Sequence, residues 1–306
     1  MPVGRLDTTL YEAFGVTFDS ELECPDLRLG TGPPSASIRM GELPPRLEDA
    51  SFTGLTFEAQ LDRVLLCYPG IARFLIENGR AITVHPERED ADQALQDFLM
   101  VAVGVLLLQR RALVLHAAAC LLPAGAVLFA AASGRGKSTV LASLLARGHK
   151  LITDDIAPVR LTPYGAAVDV GAFSFKLFPD SFGRLGLLQH QAISLRRGVR
   201  KQSFAAPPAT RAAAGPHVVA GVCVLDYDRT DSPTVDVLRG HERVAAIRAH
   251  RFAPKLVAGL GLDAAHFPTV AALARQGQVL RIRRSKGFES LDQVLGAIET
   301  HFRCRV

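Results

Sequence analysis

The chain has 306 residues, of which 48% are hydrophobic, and its 35 basic and 30 acidic residues give a formal net charge of +5. This hydrophobic content is sufficient for a large buried core and excludes a disordered chain. The small charge excess and the 7% aromatic content argue against a nucleic-acid-binding protein. The five scattered cysteines argue against a disulfide framework or a zinc site and for a reducing compartment.

The first residues and the longest apolar run bear on localisation. Residues 1–7 lack the apolar core of a signal peptide. Residues 98–108 are apolar throughout, but about twenty such residues are needed to span a bilayer. We therefore expect a cytoplasmic protein that has no membrane partner.

Residues 1–88 are predicted to form a β-rich N-terminal domain. Short segments of β type alternate there with Pro and Gly, and the predicted strands are 16–18, 38–40, 52–57, 64–68, 74–77 and 81–85. Residues 89–306 are predicted to form a second domain of α/β type. It would begin with a helix over 92–111 that leads into a strand over 113–122.

The rest of the second domain alternates between both kinds of element. The predicted strands are 126–131, 149–153, 157–161, 166–170, 173–178 and 278–283, and the predicted helices are 137–147, 240–250, 268–276 and 289–302. Strands over 217–227 and 234–238 would form a hairpin. The Pro- and Ala-rich segment 205–216 is predicted to be a mobile loop that could grip a substrate.

Residues 126–147 read as strand, loop and helix. Residues 133–138 match the second half of the phosphate-binding pattern G-x-x-x-x-G-K-[ST], with Ala131 where the pattern has its first glycine. The predicted ATP-binding residues are Ser133, Gly134, Arg135, Gly136, Lys137, Ser138 and Thr139. In this pattern the lysine reaches the β- and γ-phosphates, and the serine hydroxyl binds Mg²⁺. The alternative is a solvated turn before an ordinary helix.

Two adjacent carboxylates follow the helix. A helix over 137–147 would be about 16 Å long, and a strand over 149–153 returns about the same distance, so Asp154 and Asp155 are predicted beside the loop. One carboxylate can complete a magnesium shell while the other accepts a proton from an attacking hydroxyl. The alternative is a turn or a helix cap.

His116 is a further candidate catalytic residue. Pairing of strands 113–122 and 126–131 about a turn at 123–125 places it opposite residues 131–133, at the mouth of the loop. The alternative is a core histidine that hydrogen-bonds to a backbone carbonyl.

Residues 115–116, 133–138 and 147–155 together resemble the catalytic core of HPr kinase/phosphorylase. They are more similar to the shorter HPr-kinase-related proteins, which include the kinases of lasso peptides. The resemblance covers residues 112–160 and implies a phosphoenolpyruvate-carboxykinase-like P-loop kinase core. It also implies that Asp154 is the general base toward a serine hydroxyl, and that Asp155 and Ser138 hold the metal.

Two family features have no match after the aspartates, namely a glutamate-isoleucine-arginine-glycine signature and a later arginine-asparagine loop. Their absence argues against HPr as the substrate and against phosphorylase activity. Lys176 in the segment 174–180 is the nearest candidate phosphate contact, with an exposed strand lysine as the alternative. Arg200 and Lys201, in the basic stretch 196–201, are candidate phosphate contacts or a solvated face.

These features predict an ATP- and Mg²⁺-dependent kinase that transfers the γ-phosphoryl group to a hydroxyl, such as that of a serine, in a peptide or protein. A small-molecule or carboxykinase-like phosphotransferase is the second enzyme hypothesis. A nucleotide-binding regulatory ATPase of a peptide-modification system is the third hypothesis. The sequence is compatible with a homo-oligomer and identifies neither the acceptor nor the nucleotide base.

Overall fold

The computed structural model describes residues 8–88, 92–177, 192–194, 202–228 and 232–303. The strands are β1 (Thr9–Ala13), β2 (Val16–Ser20), β3 (Arg28–Leu29), β4 (Ala36–Met40), β5 (Phe52–Thr53), β6 (Phe57–Ala59), β7 (Arg63–Tyr68), β8 (Ala72–Glu77), β9 (Ala81–Pro86), β10 (Leu113–Leu115), β11 (Ala117–Leu122), β12 (Gly125–Ala131), β13 (Lys150–Thr153), β14 (Ala157–Thr162), β15 (Gly165–Asp169), β16 (Ser174–Leu177), β17 (Ala192–Ser194), β18 (Gln202–Ala205), β19 (Pro216–Tyr227), β20 (Thr234–Val237) and β21 (Gln278–Arg284). The helices are α1 (Asp92–Gln109), α2 (Lys137–Ala146), α3 (His241–Ala249), α4 (Pro254–Gly259), α5 (Asp263–Gln276) and α6 (Leu291–His301).

The chain is of mixed α/β type and divides into two compact units. The first unit comprises Met1–Ala112 and Ala253–Ala265, and the second comprises Leu113–Phe252 and His266–Val306. The first division therefore falls after Ala112, whereas the sequence predicted it after residue 88. The difference is the helix α1, which packs against β8 and β9 of the first unit.

The first unit is built on a nine-stranded sheet of order β3-β1-β2-β4-β9-β8-β7-β6-β5. β4 pairs in parallel with β2 and with β9, and the remaining neighbours are antiparallel. This confirms the β-rich interpretation of the described N-terminal residues. The single strand predicted over 52–57 is wrong, because the chain turns at Gly54, whose N–H donates to the carbonyl of Phe57, and forms β5 and β6.

The second unit contains a sheet with the order β10-β14-β15-β19-β12-β11-β13, in which β21 also pairs with β19 and β20 pairs with β21. β12, β19 and β21 are parallel neighbours. β11 is antiparallel to both β12 and β13, which makes β12 and β13 parallel to each other. The carboxyl ends of β12, β13, β19 and β21 and the amino end of β11 therefore lie at one edge of the sheet.

Both faces of this sheet are covered, which explains why the strand β12 is a continuous apolar run. Val127 and Phe129 face a cluster that includes buried residues of α2 and α6. Ala126 and Leu128 face a second cluster that includes buried residues of α3 and α5. The predicted alternation of strand, loop and helix over 126–147 is confirmed, with α2 covering the strand it follows.

Two predicted local pairings are wrong. The strand expected over 113–122 is broken at His116, whose backbone N–H donates to His250, so that β10 pairs with β14 while β11 pairs with β12. The hairpin expected between 217–227 and 234–238 does not form, because β21 lies between β19 and β20. A strand from residues 278–284 thus separates two strands that are close in sequence.

The segment 205–216, predicted to be a mobile loop, is tied to the core. The N–H of Ala206 donates to the carbonyl of Phe173, and the N–H of Ala212 donates to the carbonyl of Leu151. The guanidinium of Arg211 lies 4.5 Å from the ring centre of Phe173. A short 3-10 helix, Pro208–Thr210, occupies the middle of the segment.

None of the helices in the described ranges is long and apolar enough to cross a membrane.

Candidate functional site

A cleft of about 640 Å³ opens at the edge of the second-unit sheet where the parallel strands end. Its walls come from the loop after β12, the start of α2, and the ends of β13, β19 and β21. The lining residues are His116, Ala132, Ser133, Gly134, Gly136, Lys137, Ser138, Thr139, Asp155, Leu177, Tyr227, Arg284, Lys286, Gly287 and Phe288. This is the edge at which ligands bind in open α/β sheets.

The loop between β12 and α2 contains two glycines in the left-handed region. Gly134 and Gly136 both have positive φ, at 80° and 89°, whereas Ala131 is the last residue of β12 and does not require a glycine. Gly136 is also needed for space, since a Cβ there would lie 2.6 Å from Nη2 of Arg284. The residue before α2 is Gly136, which has no side chain to cap the first turn, so N–H groups at the start of this helix can serve a ligand.

Lys137 is a buried cation held by both aspartates. Its ammonium nitrogen lies 2.6 Å from Oδ1 of Asp155 and 3.8 Å from Oδ1 of Asp154, and its side chain is 7% exposed. The sequence predicted that the lysine and the carboxylates converge beside the loop, and the structure brings them together. Lys137 also lines the cleft, so its charge lies beside any ligand that binds there.

The two aspartates have different environments. Asp154 is 4% exposed, and its carboxylate accepts the backbone N–H of Asp155 at 2.9 Å and that of Lys176 at 3.1 Å. Asp155 is 34% exposed, lines the cleft, and has a left-handed φ of 64°. The residue predicted as general base is thus the deeper one, and the predicted metal ligand is the one that faces the cleft.

His116 lies at the break between β10 and β11 and lines the cleft. Its Nδ1 is 3.1 Å from the carbonyl oxygen of Asp155, and because a carbonyl only accepts, Nδ1 carries the proton in this hydrogen bond.

The neighbouring His250 is partly buried. Burial lowers the pKa of His250, Asp226 opposes this change, and the charge of Lys137 adds to it. A neutral His250 avoids a further positive charge near Lys137.

Ser138 has the property expected of a ligand-binding hydroxyl. Its Oγ is buried and, within the described part of the chain, has no hydrogen-bond partner, although the residue lines the cleft. An unsatisfied buried hydroxyl costs about 1–3 kcal/mol unless a ligand completes it. No group of three or more His, Cys, Asp and Glu side chains forms a metal site among the described residues. Ser138 and Asp155 carry oxygen atoms of the kind that Mg²⁺ prefers, and they are the cleft residues that could hold this ion.

The wall formed by β19 and β21 was missed by the sequence analysis. Tyr227 and Arg284 end these strands, and the Arg284 guanidinium lies 5.1 Å from the centre of the Tyr227 ring. Lys286 and Phe288 follow on the same wall. The available signal was the set of basic residues at 281–286, at the end of β21.

The remaining predicted contacts lie at the margin of the cleft or outside the described residues. Arg135 points to Asp226, with Nε 3.5 Å from Oδ1, and lies over the Tyr227 ring. Lys176 contributes its backbone N–H to Asp154, and it is not among the cleft-lining residues. Arg200 and Lys201 lie outside the described residues.

No family model matches the chain, and no curated protein matches it. Among solved structures, the chain is similar to the Hpr(Ser) kinase/phosphatase from Coxiella burnetii, with 13% sequence identity and a TM-score of 0.31. The match covers 61% of this chain and 95% of the other. Similarity at this level carries no functional conclusion.

Proposed function

We propose that the protein is an ATP-dependent kinase that transfers the γ-phosphoryl group to a hydroxyl of a peptide or protein. The observation that supports it most directly is the position of Lys137. This buried ammonium group lies at the start of the helix α2, directly after a loop with two left-handed glycines, and two carboxylates hold it there. That combination suits the phosphates of a nucleotide, because backbone N–H groups, helix dipole and ammonium all favour an anion at one point.

In the proposed complex, Lys137 exchanges Asp155 for the β- and γ-phosphates. Ser138 and Asp155 would then hold Mg²⁺, which supplies neutralisation of the phosphate charge. Both residues line the cleft, and the orphaned hydroxyl of Ser138 supports this assignment. His116 holds the carbonyl of Asp155 and so fixes the backbone from which this carboxylate extends.

During transfer, the acceptor oxygen bonds to the γ-phosphorus while the bond from phosphorus to the bridging oxygen breaks and ADP leaves with the electron pair. The proton of the acceptor hydroxyl passes to a carboxylate. The role of Asp154 as that base stays a prediction. Its carboxylate is 4% exposed, so the cleft must open over it before an acceptor can reach it. A loose transition state depends mainly on positioning and charge neutralisation, which the rest of the site is suited to provide.

The acceptor class rests on the sequence resemblance to HPr-kinase-related proteins. The charges of the cleft are compatible with a hydroxyl acceptor. Its walls carry Arg284 and Lys286 as well as Lys137, so a negatively charged donor can be held while a neutral hydroxyl approaches. A small-molecule phosphotransferase and a regulatory ATPase remain the alternatives that the transfer experiment separates.

The binding test is Lys137→Ala. Loss of a charge-assisted contact should weaken ATP binding by on the order of 1.5–3 kcal/mol, or about 10- to 150-fold, measured by calorimetry with Mg²⁺ present. Lys150→Ala is the matched control, because Lys150 lies at the start of β13 and does not line the cleft. Equal ATP affinity in the wild type and Lys137→Ala would refute the phosphate-loop assignment.

The transfer test uses ATP labelled on the γ-phosphate and serine-containing peptides, with mass spectrometry of the reacted acceptor. A phosphoryl group on a serine is the expected result, and Lys137→Ala should abolish it. A phosphorylated metabolite would favour the small-molecule kinase. Phosphate release without any phosphorylated acceptor would favour the regulatory ATPase.

A further inference from the structure

We propose that Arg284 binds the terminal phosphate of the nucleoside triphosphate, as a second cation beside Lys137. The proposal rests on the proposed function and deepens it by naming a residue that distinguishes a triphosphate from a diphosphate.

Arg284 is set against the loop that precedes α2. A Cβ built on Gly136 would lie 2.6 Å from Nη2 of Arg284, so the guanidinium packs directly on the backbone of the residue before Lys137. The side chain lines the cleft although the residue is only 4% exposed. An oxygen that accepts hydrogen bonds from this end of the loop therefore lies close to the guanidinium.

The orientation of the guanidinium is fixed by carbonyl oxygens and a ring. Nη1 donates to the carbonyl oxygens of Gly287 and Ser285, and the group stacks near Tyr227. Within the described residues, the hydrogen bond that Nη2 makes is a long one of 3.5 Å to the Tyr227 hydroxyl. The side chain is thus held in place while the nitrogen nearest the loop retains capacity to donate.

In the part of the chain that the structure describes, the charge of Arg284 is not balanced by a carboxylate. Among the described residues no carboxylate forms an ion pair with it, whereas its neighbour Arg283 pairs with Asp236 at 2.6 Å and Arg160 pairs with Asp169 at 2.6 Å. A buried cation without a counterion is costly, and such a group is stabilised when an anion binds beside it. In this cleft the anion that the neighbouring loop is shaped to receive is a phosphate.

The terminal phosphate is the preferred occupant for a geometric reason. In a loop of this type the backbone N–H groups surround the inner phosphates and the lysine reaches the β- and γ-phosphates, so a cation beside the lysine and outside the loop backbone can meet the γ-phosphate. The planar fork of arginine matches two phosphate oxygens at once. Arg284 would therefore contribute to binding ATP far more than to binding ADP.

The experiment compares two ligands in four proteins. Calorimetry with Mg²⁺ measures the affinities for ADP and for the non-hydrolysable ATP analogue with an imido bridge, in the wild type, Arg284→Gln, Arg284→Lys and Arg283→Gln. Arg284→Gln should weaken analogue binding about tenfold or more and ADP binding by less than about threefold. Arg284→Lys should recover part of the loss, and Arg283→Gln, which removes the charge paired with Asp236, should bind both ligands as the wild type does.

Each outcome decides the proposal. Equal losses for both ligands in Arg284→Gln would show that the residue only supports the loop, and unchanged affinities would show that it does not reach the phosphate. Either result overturns the proposal while leaving the kinase assignment intact. Failure of the wild type to bind either ligand would instead overturn the proposed function. If Arg284→Gln does not fold, the ratio of the two affinities in Arg284→Lys decides: a loss confined to the ATP analogue supports the contact, and an unchanged ratio excludes it.

Discussion

Asp154 and Asp155 are identical in chemistry and adjacent in sequence, but the fold gives them different surroundings. Two backbone N–H groups occupy the carboxylate of Asp154, including that of the next residue, while Asp155 turns into the cleft with a left-handed backbone. Asp tolerates this conformation better than most residues. These N–H groups hold the carboxylate of Asp154 in place, and one of them fixes its position relative to Asp155.

Conservative substitutions distinguish the roles of the two carboxylates. Asp155→Asn should raise the Mg²⁺ concentration needed for half-maximal transfer, because one oxygen ligand loses its charge. Asp154→Asn should leave Mg²⁺-ATP bound while it lowers transfer by about 10²-fold or more, and it should remove the acidic limb of the pH–rate profile if this residue is the base. Transfer kinetics at varied pH and Mg²⁺ measure both effects.

Thermal unfolding of both variants is the control. In Asp154→Asn the amide NH₂ can face the backbone N–H of Lys176, and two facing donors would destabilise the fold. An acidic limb that persists in Asp154→Asn, with only a lower plateau, would assign a positioning role. Wild-type transfer in both variants would exclude the base and the metal assignments together.

The site could be predicted from sequence where its residues are close along the chain. Gly134, Gly136, Lys137 and the aspartates lie within one strand-loop-helix-strand unit, whose lengths fix where it returns. Arg284 follows Lys137 by almost half of the chain and reaches the loop only because β21 pairs with β19. No local pattern contains that pairing, so the basic run at the end of β21 could not be assigned to the cleft beforehand.

At the scale of elements, the same distinction between local and distant contacts explains which predictions failed. Strand positions follow from turn residues and apolar alternation, and most predicted strands and helices of the second unit occur within a few residues of the expected bounds. The predicted hairpin of β19 and β20 is wrong because β21, which is distant in sequence, pairs with both strands. The prediction of one strand over 113–122 is wrong because the backbone N–H of His116 donates to the carbonyl of His250. That partner is far along the chain, so no local pattern indicates the break.

An ion-pair cluster joins the residues that directly follow α2 to the helix α6. Glu299 accepts from Nη1 of Arg147 at 2.8 Å and lies 3.0 Å from Nε2 of His149. Burial alone would raise the pKa of Glu299, but the hydrogen bond from His149 and the charge of Arg147 outweigh it, and the pKa is lowered. A lowered carboxylate pKa means stability that is present above the ordinary value of 4.5 and is lost as pH falls through the folded value.

Glu299→Gln should therefore destabilise the protein by about 0.5–1 kcal/mol at neutral pH, since the pair is only partly shielded from solvent. The difference from the wild type should shrink as pH falls below 4.5 and through the lowered pKa of the native carboxylate. Urea unfolding at neutral pH and over a series of acidic pH values measures it. Asp292→Asn is the matched control, because Asp292 also binds Arg147 but is 91% exposed, and its loss should be smaller. A constant difference across pH would contradict the ion-pair explanation.

For the whole molecule, the described cleft residues all belong to the second unit, whose sheet brings four parallel strand ends to one edge. Three cysteines report on the cores of the two units. Cys24 lies in the first unit, and Cys120 and Cys223 lie in β11 and β19 of the second. Burial raises the pKa of Cys24 to about 12 and also raises the pKa values of Cys120 and Cys223. These thiols are therefore unreactive until the strands around them open.

Nucleotide binding should become visible in the reactivity of Cys120 and Cys223. A ligand that binds only the folded state at a hundred times its Kd stabilises that state by about 2.7 kcal/mol, which corresponds to about 100-fold less opening. In mild denaturant at pH 8, Mg²⁺-ATP should slow the labelling of both thiols by up to that factor, as followed by mass spectrometry. Cys67 is only partly buried and should label at the same rate with and without the nucleotide. In Lys137→Ala, the same ATP concentration should slow labelling much less, because the contact that couples ATP to the fold is missing. Equal labelling of Cys120 and Cys223 with and without ATP in the wild type would mean that this sheet edge does not bind the nucleotide.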